Sequence, residues 1–373
     1  MPVSPADGED LAVAIGVLYE DAEAALLTIV AQALAEGIDS PSWARAKLAA
    51  VGDVRRAIEA IIRALQADAT GAIGQALAVA YARGDQAAVA ELGVLPEGRR
   101  AFVAHHLPAA RAVDRLAAAV VAEQQPVWAR ILRAPLDAYR AIIGRVSGNV
   151  LLGGLTRRQT AQRALDQFAA QGIKGFVDRA GRHWSMTAYA EMAVRSATGR
   201  AAIQGHIDRL QDAGLDLVIV SDAPLDCPLC HPWEGRILAL SGPPGARTVT
   251  MEHMIEDGRQ VPVRIAGTLE EARAAGLLHP NCRHSTSAFL PGVTRRPQAP
   301  PHPQGATYED TQQQRYLERQ VRAWKRVAAV AMNDTARRKA NARVREYQGR
   351  IRELTAEKGL RRKPPREQIG SAR

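Results

Sequence analysis

Cys227-Pro-Leu-Cys230-His231-Pro-Trp-Glu-Gly235 and His279-Pro-Asn-Cys282-Arg-His284 are the two clusters on which the reading of the chain turns. All three cysteines of the protein fall in them, with three of its nine histidines. Each of the pairs Cys227/Cys230 and His279/Cys282 is separated by two turn-forming residues, so both side chains of a pair can face the same way. Two such knuckles make the four-ligand tetrahedral set that a structural Zn2+ accepts, with His231 and His284 as spare candidates for the fourth position. The 48 residues between the knuckles are no obstacle if they fold as strand, loop and helix and return the chain. A plainer reading stays open, in which the cysteines are small buried hydrophobes and His279 a hydrogen-bonded turn residue. A redox Cys-x-x-Cys fits less well, because Pro232 and Gly235 follow at once where such a motif opens a helix.

Outward from the clusters, the flanking sequence reads as a small α+β domain. Leu215 to Val220, Arg236 to Leu240, Val261 to Ile265 and Ser285 to Leu290 are strand-like runs. Thr268-Leu-Glu-Glu271 is a capping box that opens a helix ended by Gly276. Gly175 to Asp178 and Arg182 to Met186 flank Arg179-Ala-Gly181 as a short hairpin, followed by a helix from Thr187 to about Leu210. Everything earlier is alanine-rich and helical. Helices are expected over 8–36, from Ser40-Pro41 onward, at about 100–123 and 126–144, and over 157–171 between Thr156 and Gly172. Glycines 71, 74, 84 and 93 punctuate the stretch that follows the helix from Ser40-Pro41, and Leu95-Pro96-Glu-Gly98 is a turn. The fold class is therefore α+β and predominantly helical. Four segments follow from this: a helical region over 1–154, the α+β domain over 155–292, a proline-rich linker over 293–307 and a helical arm over 308–373. In the arm, Leu317, Val321, Trp324, Ala328 and Ala331, then Val344, Tyr347, Ile351 and Leu354, trace two amphipathic helices.

Composition narrows the function classes. With 373 residues, 47% of them apolar, the chain folds around a core, and with only 4% aromatic that core is built from Ala, Leu, Val and Ile. No apolar run reaches the roughly 18 to 20 residues that a membrane span needs, and residues 1–10 lack the basic and apolar regions of a secretory signal. The net charge of +10 is local. Residues 306–373 hold 18 Lys and Arg against 8 Asp and Glu, while the other 305 residues carry 31 of each sign. A polyanion partner is thus a property of the arm, with Arg337, Arg338, Lys339, Arg343, Arg345, Arg361, Arg362, Lys363 and Arg366 as the residues to meet double-stranded DNA or a partner protein without reading sequence.

Two enzyme readings compete within 155–292. Asp226, His231, Glu234, His279 and His284 could supply a base and a metal-bound water for a nuclease. Arg195 with Ser285-Thr-Ser287 resembles the Arg/Ser-Thr-Ser/Glu order of ADP-ribosyltransferases, but no Glu-x-Glu follows. Neither completes a constellation with assigned roles, so a non-enzymatic protein is expected. A host nucleic-acid-binding protein is the remaining rival.

Several stretches carry a resemblance to a known family. They are Gly175-Phe-Val-Asp-Arg-Ala-Gly-Arg-His-Trp184, Tyr189-Ala-Glu-Met-Ala-Val-Arg195, Cys230-His-Pro-Trp-Glu-Gly-Arg-Ile-Leu-Ala-Leu-Ser-Gly242, Asn281-Cys-Arg-His-Ser285 with Phe289-Leu-Pro-Gly292, and the run from Tyr308 to Arg319. Together they resemble phage minor capsid protein 2 over residues 135–360, and more distantly the Mu F-like head morphogenesis proteins. The resemblance implies a virion structural protein of a tailed bacteriophage, assembled in the host cytoplasm and placed at the portal or inner capsid. It also implies portal or major capsid protein and packaged DNA as partners, and an oligomeric state in the virion.

Overall fold

The computed structural model describes residues 8–93, 110–151, 155–177, 183–223, 227–279, 284–296 and 304–369, with Val3, Leu225 and Cys282. The turn expected at Leu95 to Gly98, the tip at Arg179 to Gly181 and prolines 297, 300, 301 and 303 of the linker lie outside these residues. In chain order the elements are α1 (Glu9–Ala35), α2 (Trp43–Ala49), α3 (Val51–Leu92), α4 (Ala110–Leu151), α5 (Arg157–Gln171), β1 (Lys174–Val177), β2 (His183–Ser185), α6 (Met186–Asp212), β3 (Leu217–Val220), β4 (Ile237–Ala239), β5 (Arg247–Glu252), β6 (Gln260–Thr268), α7 (Leu269–Ala274), β7 (Thr286–Ala288), α8 (Tyr308–Ala329) and α9 (Asp334–Lys358). The α+β, mainly helical class is as expected. Among the described residues no helix is long and apolar enough to cross a membrane.

The chain forms two compact units, each assembled from three separate stretches: 1–13, 72–120 and 192–308 in the first, and 14–71, 121–191 and 309–373 in the second. In the first unit, five strands lie in the order β5-β6-β4-β3-β7. β4 and β6 are parallel and the other neighbours antiparallel. β3, Leu-Val-Ile-Val, is buried along its whole length, as suits a β-branched run in an interior position. Leu217, Ile219, Ala239, Val263, Ile265 and Phe289 form the core of the sheet. Val3 exchanges both backbone hydrogen bonds with Thr286, at 3.1 and 2.9 Å, and so covers the outer edge of β7. β5 has no counterpart in the sequence reading. Its burial alternates along Arg-Thr-Val-Thr-Met-Glu, which leaves only Val249 and Met251 as apolar signal on an edge strand.

Three helix expectations are corrected. Ser40-Pro41 does not open a helix: Ser40 accepts from the Trp43 N–H in a turn, and α2 begins at Trp43. Glycines 71, 74 and 84 do not punctuate, because α3 runs unbroken for 42 residues. Each interior glycine costs about 1 kcal/mol against alanine. The buried face of Ala69, Ile73, Ala76, Leu77, Ala80 and Tyr81 outweighs that cost at about 1.5 to 3 kcal/mol per large side chain. The break expected between 123 and 126 is absent too, since α4 passes through Pro126 and Pro135. A proline inside a helix costs roughly 3 kcal/mol, and the helix holds because Val127, Trp128, Ile131, Tyr139, Ile142 and Val146 are all buried.

In the first unit, α3 and α6 cross at two glycines. A Cβ on Gly84 would strike the Ala202 carbonyl, and one on Gly205 the Tyr81 carbonyl. Around this contact Tyr81 Oη donates to Asp208 at 2.6 Å, Arg209 Nε donates to Asp85 at 2.6 Å, and His206 Nε2 meets Glu91 at 2.9 Å.

In the second unit, Trp128 Nε1 donates to the buried Tyr19 hydroxyl at 3.1 Å and Tyr139 Oη donates to the Lys47 carbonyl at 3.1 Å. α5 starts at the expected capping box, Thr156 with Gln159. Leu317, Val321, Val344, Ile351 and Leu354 join α8 and α9 into a hairpin with a core of its own. Arg326 Nε donates to the Ala169 carbonyl at 3.0 Å, and Arg326 Nη1 lies 3.7 Å from Glu23. Buried Glu23 accepts from Ile173 N–H at 2.8 Å and Thr187 Oγ1 at 3.2 Å. Next to this group, burial pushes the Glu20 carboxyl up to about 7; Arg322 and Arg326 oppose the rise, and Glu191 and Glu23 add to it.

The helix crossing predicts that Gly205→Ala lowers stability by about 1 to 3 kcal/mol through overpacking. Gly74→Ala, which meets nothing within 4 Å, should leave stability unchanged or raise it by up to about 1 kcal/mol; thermal melts of the two variants compare them. Glu20 predicts a pH effect. A carboxyl raised in the folded state takes up a proton on folding, so stability falls as pH rises from about 4.5 to 7 and is level above. Glu20→Gln should match the parent at pH 5 and exceed it by roughly 2 kcal/mol at pH 8 in urea unfolding.

Candidate metal centre

The register of two strands brings the knuckles together. β3 and β7 are antiparallel with Val220 opposite Thr286, so the chain leaving β3 and the chain entering β7 are neighbours at one end of the sheet. Ser221 N–H donates to the Ser285 carbonyl at 2.9 Å and Ser285 N–H donates to Ser221 Oγ at 2.9 Å, extending that alignment. The first knuckle is a tight turn in which Cys230 and His231 N–H groups both donate to the Cys227 carbonyl. The second follows α7, whose Thr268/Glu271 capping box is as expected, and closes with Cys282 N–H donating to the His279 carbonyl at 2.9 Å. Asp226, Pro280, Asn281 and Arg283 lie outside the described residues.

Two overlapping triads result: Cys227, Cys230 and His279, and Cys230, Cys282 and His284, the donor atoms of each lying within 4.8 Å of one another. Cys227 Sγ is 2.9 Å from His279 Nε2, and Cys230 Sγ is 3.4 Å from Cys282 Sγ. All three cysteines are free thiols and buried. A zinc ion at about 2.3 Å from each sulfur needs Sγ–Sγ separations of roughly 3.8 Å, so the Cys230–Cys282 edge of the second triad is within a few tenths of an ångström of that requirement. The donor set therefore fits a thiolate- and imidazole-binding metal, with one histidine more than four-coordination uses. His231 does not join either triad; its side chain is 72% exposed and lies 3.3 Å from Glu234.

His284 is almost fully buried, with Nδ1 3.4 Å from Cys282 Sγ and Nε2 2.7 Å from Glu234 Oε1. Glu234 is held in turn by the Ala223 N–H at 3.1 Å. A carboxylate on the far nitrogen of an imidazole is the arrangement that orients metal-binding histidines. The charges follow the same line. Its hydrogen bond to Cys282, with burial, pushes the Cys230 thiol up. The Cys230 hydrogen bond lowers Cys282 to about 4, and His284 adds to the effect. Burial opposes charge on His284, but Cys282 and Glu234 together raise it. Sequence reasoning named Glu234 only as a possible base; its place beside His284 is a tertiary fact without a local signal. Thr286 is fully buried between β3 and Val3, so the Ser-Thr-Ser triplet serves strand pairing.

A family model described as phage minor capsid protein 2 matches residues 3–356. The chain belongs to that family. The match takes in both knuckles, all of α8 and most of α9, and it reaches through the first 130 residues, beyond the 135–360 covered by the resemblance. The chain is 28% identical to a structural protein of Lactococcus phage LL-H over 229 residues, 60% of this chain and 58% of the relative. It is 38% identical to a structural protein of Lactococcus phage mv4 over 103 residues, 26% of this chain and 84% of that one. The chain thus spans less than two thirds of the length of the first of these relatives. No solved structure matches.

The basic residues of this minor capsid family member divide by partner. Arg337 pairs with Asp334 at 3.4 Å, Arg343 with Glu346 at 2.7 Å while lying over the Trp324 ring, and Arg362 with the buried Glu367 at 2.6 Å. The Arg361 and Arg366 carbonyls accept from Gln314 and Arg322, which ties the segment after α9 to α8. Lys363 is half-buried, and Arg338, Lys339 and Arg345 are exposed on α9.

Glu234→Gln removes the carboxylate from His284 while keeping the shape. It should cost about 1.5 to 3 kcal/mol in denaturant unfolding with a chelator present, so that no metal contributes to the difference.

Proposed function

We propose that the chain is a minor structural component of a tailed-phage head, seated as an oligomer at the portal or the inner face of the capsid shell. It assembles with portal or major capsid protein in the host cytoplasm and touches packaged double-stranded DNA through the α8–α9 hairpin. The observation that carries this reading is the family match over nearly the whole chain. The charge distribution supports the DNA contact, since residues 306–373 hold the entire excess of positive charge. The body, neutral overall, is left to make protein contacts.

Within that role the Cys/His cluster is a clasp. Cys227, Cys230 and Cys282, with His279 or His284, would hold Zn2+, and Glu234 would orient His284. Bound zinc would add a cross-link whose binding energy counts as folding energy. Its position suits that task, because it joins the end of β3 to the start of β7 across an insert of three strands and a helix.

Purified virions tested by mass spectrometry should contain the chain at low copy relative to the major capsid protein, and cross-linking should join it to portal or shell. Its absence from virions would overturn the reading. Elemental analysis of the native protein should find close to one zinc per chain, lost in Cys227→Ser/Cys230→Ser. A folded, metal-free native protein would remove the zinc part alone.

A further inference from the structure

The face of α9 that points away from its core carries three arginines in register. Arg338, Arg345 and Arg352 recur every seventh residue, two turns apart. At 1.5 Å per residue they span about 21 Å along one side of the helix. All three are exposed. The core positions Ala340, Val344, Ile351 and Leu354 lie on the other side.

What distinguishes this row is the lack of acidic partners. Three cations elsewhere on α9 are answered from within the helix, Arg337 by Asp334, Arg343 by Glu346 and Lys358 by Glu357 at 3.2 Å, and Lys339 interacts with the Asp166 carboxyl. Arg350 lies over the Tyr347 ring at 5.4 Å. Arg338 donates to the neutral Thr335 hydroxyl at 3.3 Å. Arg345 and Arg352 make no ion pair among the described residues. Their neighbours one turn away in either direction are Asn341, Ala342, Gln348, Gly349, Thr355 and Ala356, none of them charged.

We propose that the Arg338–Arg345–Arg352 face of α9 is the surface that lies along the sugar-phosphate backbone of double-stranded DNA. This rests on the reading of the hairpin as a DNA contact and narrows it to one face, adding Arg352 and setting aside the ion-paired Arg337, Arg343 and Arg362. Charge complementarity selects the partner. A DNA duplex carries one negative charge per ~1.7 Å of axis, so a 21 Å row meets about a dozen phosphates. Guanidinium groups donate two parallel hydrogen bonds to phosphate oxygens. The small residues between the arginines, Ala342 and Gly349, and Ala356 one turn beyond Arg352, let the helix backbone come close. No aromatic or large aliphatic side chain interrupts the row, so the face lacks the anchors that protein interfaces centre on.

The test is a salt titration of duplex DNA binding by the full-length protein, followed by fluorescence anisotropy, with two unrelated DNA sequences. Arg338→Gln/Arg345→Gln/Arg352→Gln should reduce the slope of log affinity against log salt by about 2.7, at 0.9 per lost phosphate contact, and equally on both sequences. Arg337→Gln/Arg343→Gln/Lys358→Gln removes the same charge from the same helix and should reduce the slope by less than about 1. Circular dichroism melts accompany each variant. Should the triple variant fail to fold, Arg345→Gln alone reads the same contact, with an expected change of about 0.9. Equal losses in the two triple variants, or a loss in the second alone, would overturn the assignment of the face while leaving the hairpin as the DNA contact. An unmodified protein that does not bind DNA in a salt-dependent way would overturn both. Tighter binding of poly-glutamate than of DNA, lost in the first triple variant, would give the face to an acidic polypeptide and overturn the proposal.

Discussion

The close backbone approach of α3 and α6 at Gly84 and Gly205 sets the geometry of the sheet-bearing unit. Neither helix can move apart without losing the three polar contacts around the crossing, and neither can accept a side chain at the contact. One of those contacts reaches further. Glu91 takes His206 on α6 and, through the same oxygen, the Ala288 N–H on β7 at 2.7 Å. A helix position thereby fixes a strand, and the register of that strand against β3 places Cys282 opposite the first knuckle. The Cys/His cluster depends on two glycines far from it in sequence.

The second unit places its charges differently. Three carboxylates, Glu20, Glu23 and Glu191, share two guanidiniums, Arg322 and Arg326, in a half-buried group that joins α1, the start of α6 and α8. One carboxylate more than guanidinium leaves one group best protonated, and Glu20 is the one that burial selects. These arginines belong to the basic segment but are spent on packing. The positive charge that remains for a partner is smaller than the composition suggests and is concentrated on α9.

Local signals were legible in the sequence, and tertiary ones were not. The capping boxes at Thr156 and Thr268 were readable because donor and acceptor lie three residues apart. β3 was readable because four consecutive apolar residues can belong only to an interior strand or a buried helix turn. The two Cys/His pairs could be seen because their turn spacing is local, although their meeting is not. Gly84 looked like a helix breaker because the residue that needs its bare Cα is Ala202. The prolines in α4 misled for the same reason, since the burial that offsets them comes from partners far along the chain. β5 was missed because an edge strand with polar residues on one face has too weak an alternation to stand out. Glu234 gained its role from His284, fifty residues away.

Val3 covers the outer edge of β7 at Thr286, and so closes one of the two edges of the sheet at that position. An uncovered edge strand offers unpaired N–H and C=O groups to any passing strand. Where many protein copies meet at high local concentration, such an edge invites the wrong pairing. With Thr286 already engaged on both sides, by β3 and by Val3, β7 has no ladder left to offer at that position. At that position Val3 acts as a stopper against pairing with another strand. A change that displaced Val3 would bare that edge and also withdraw a fully buried side chain.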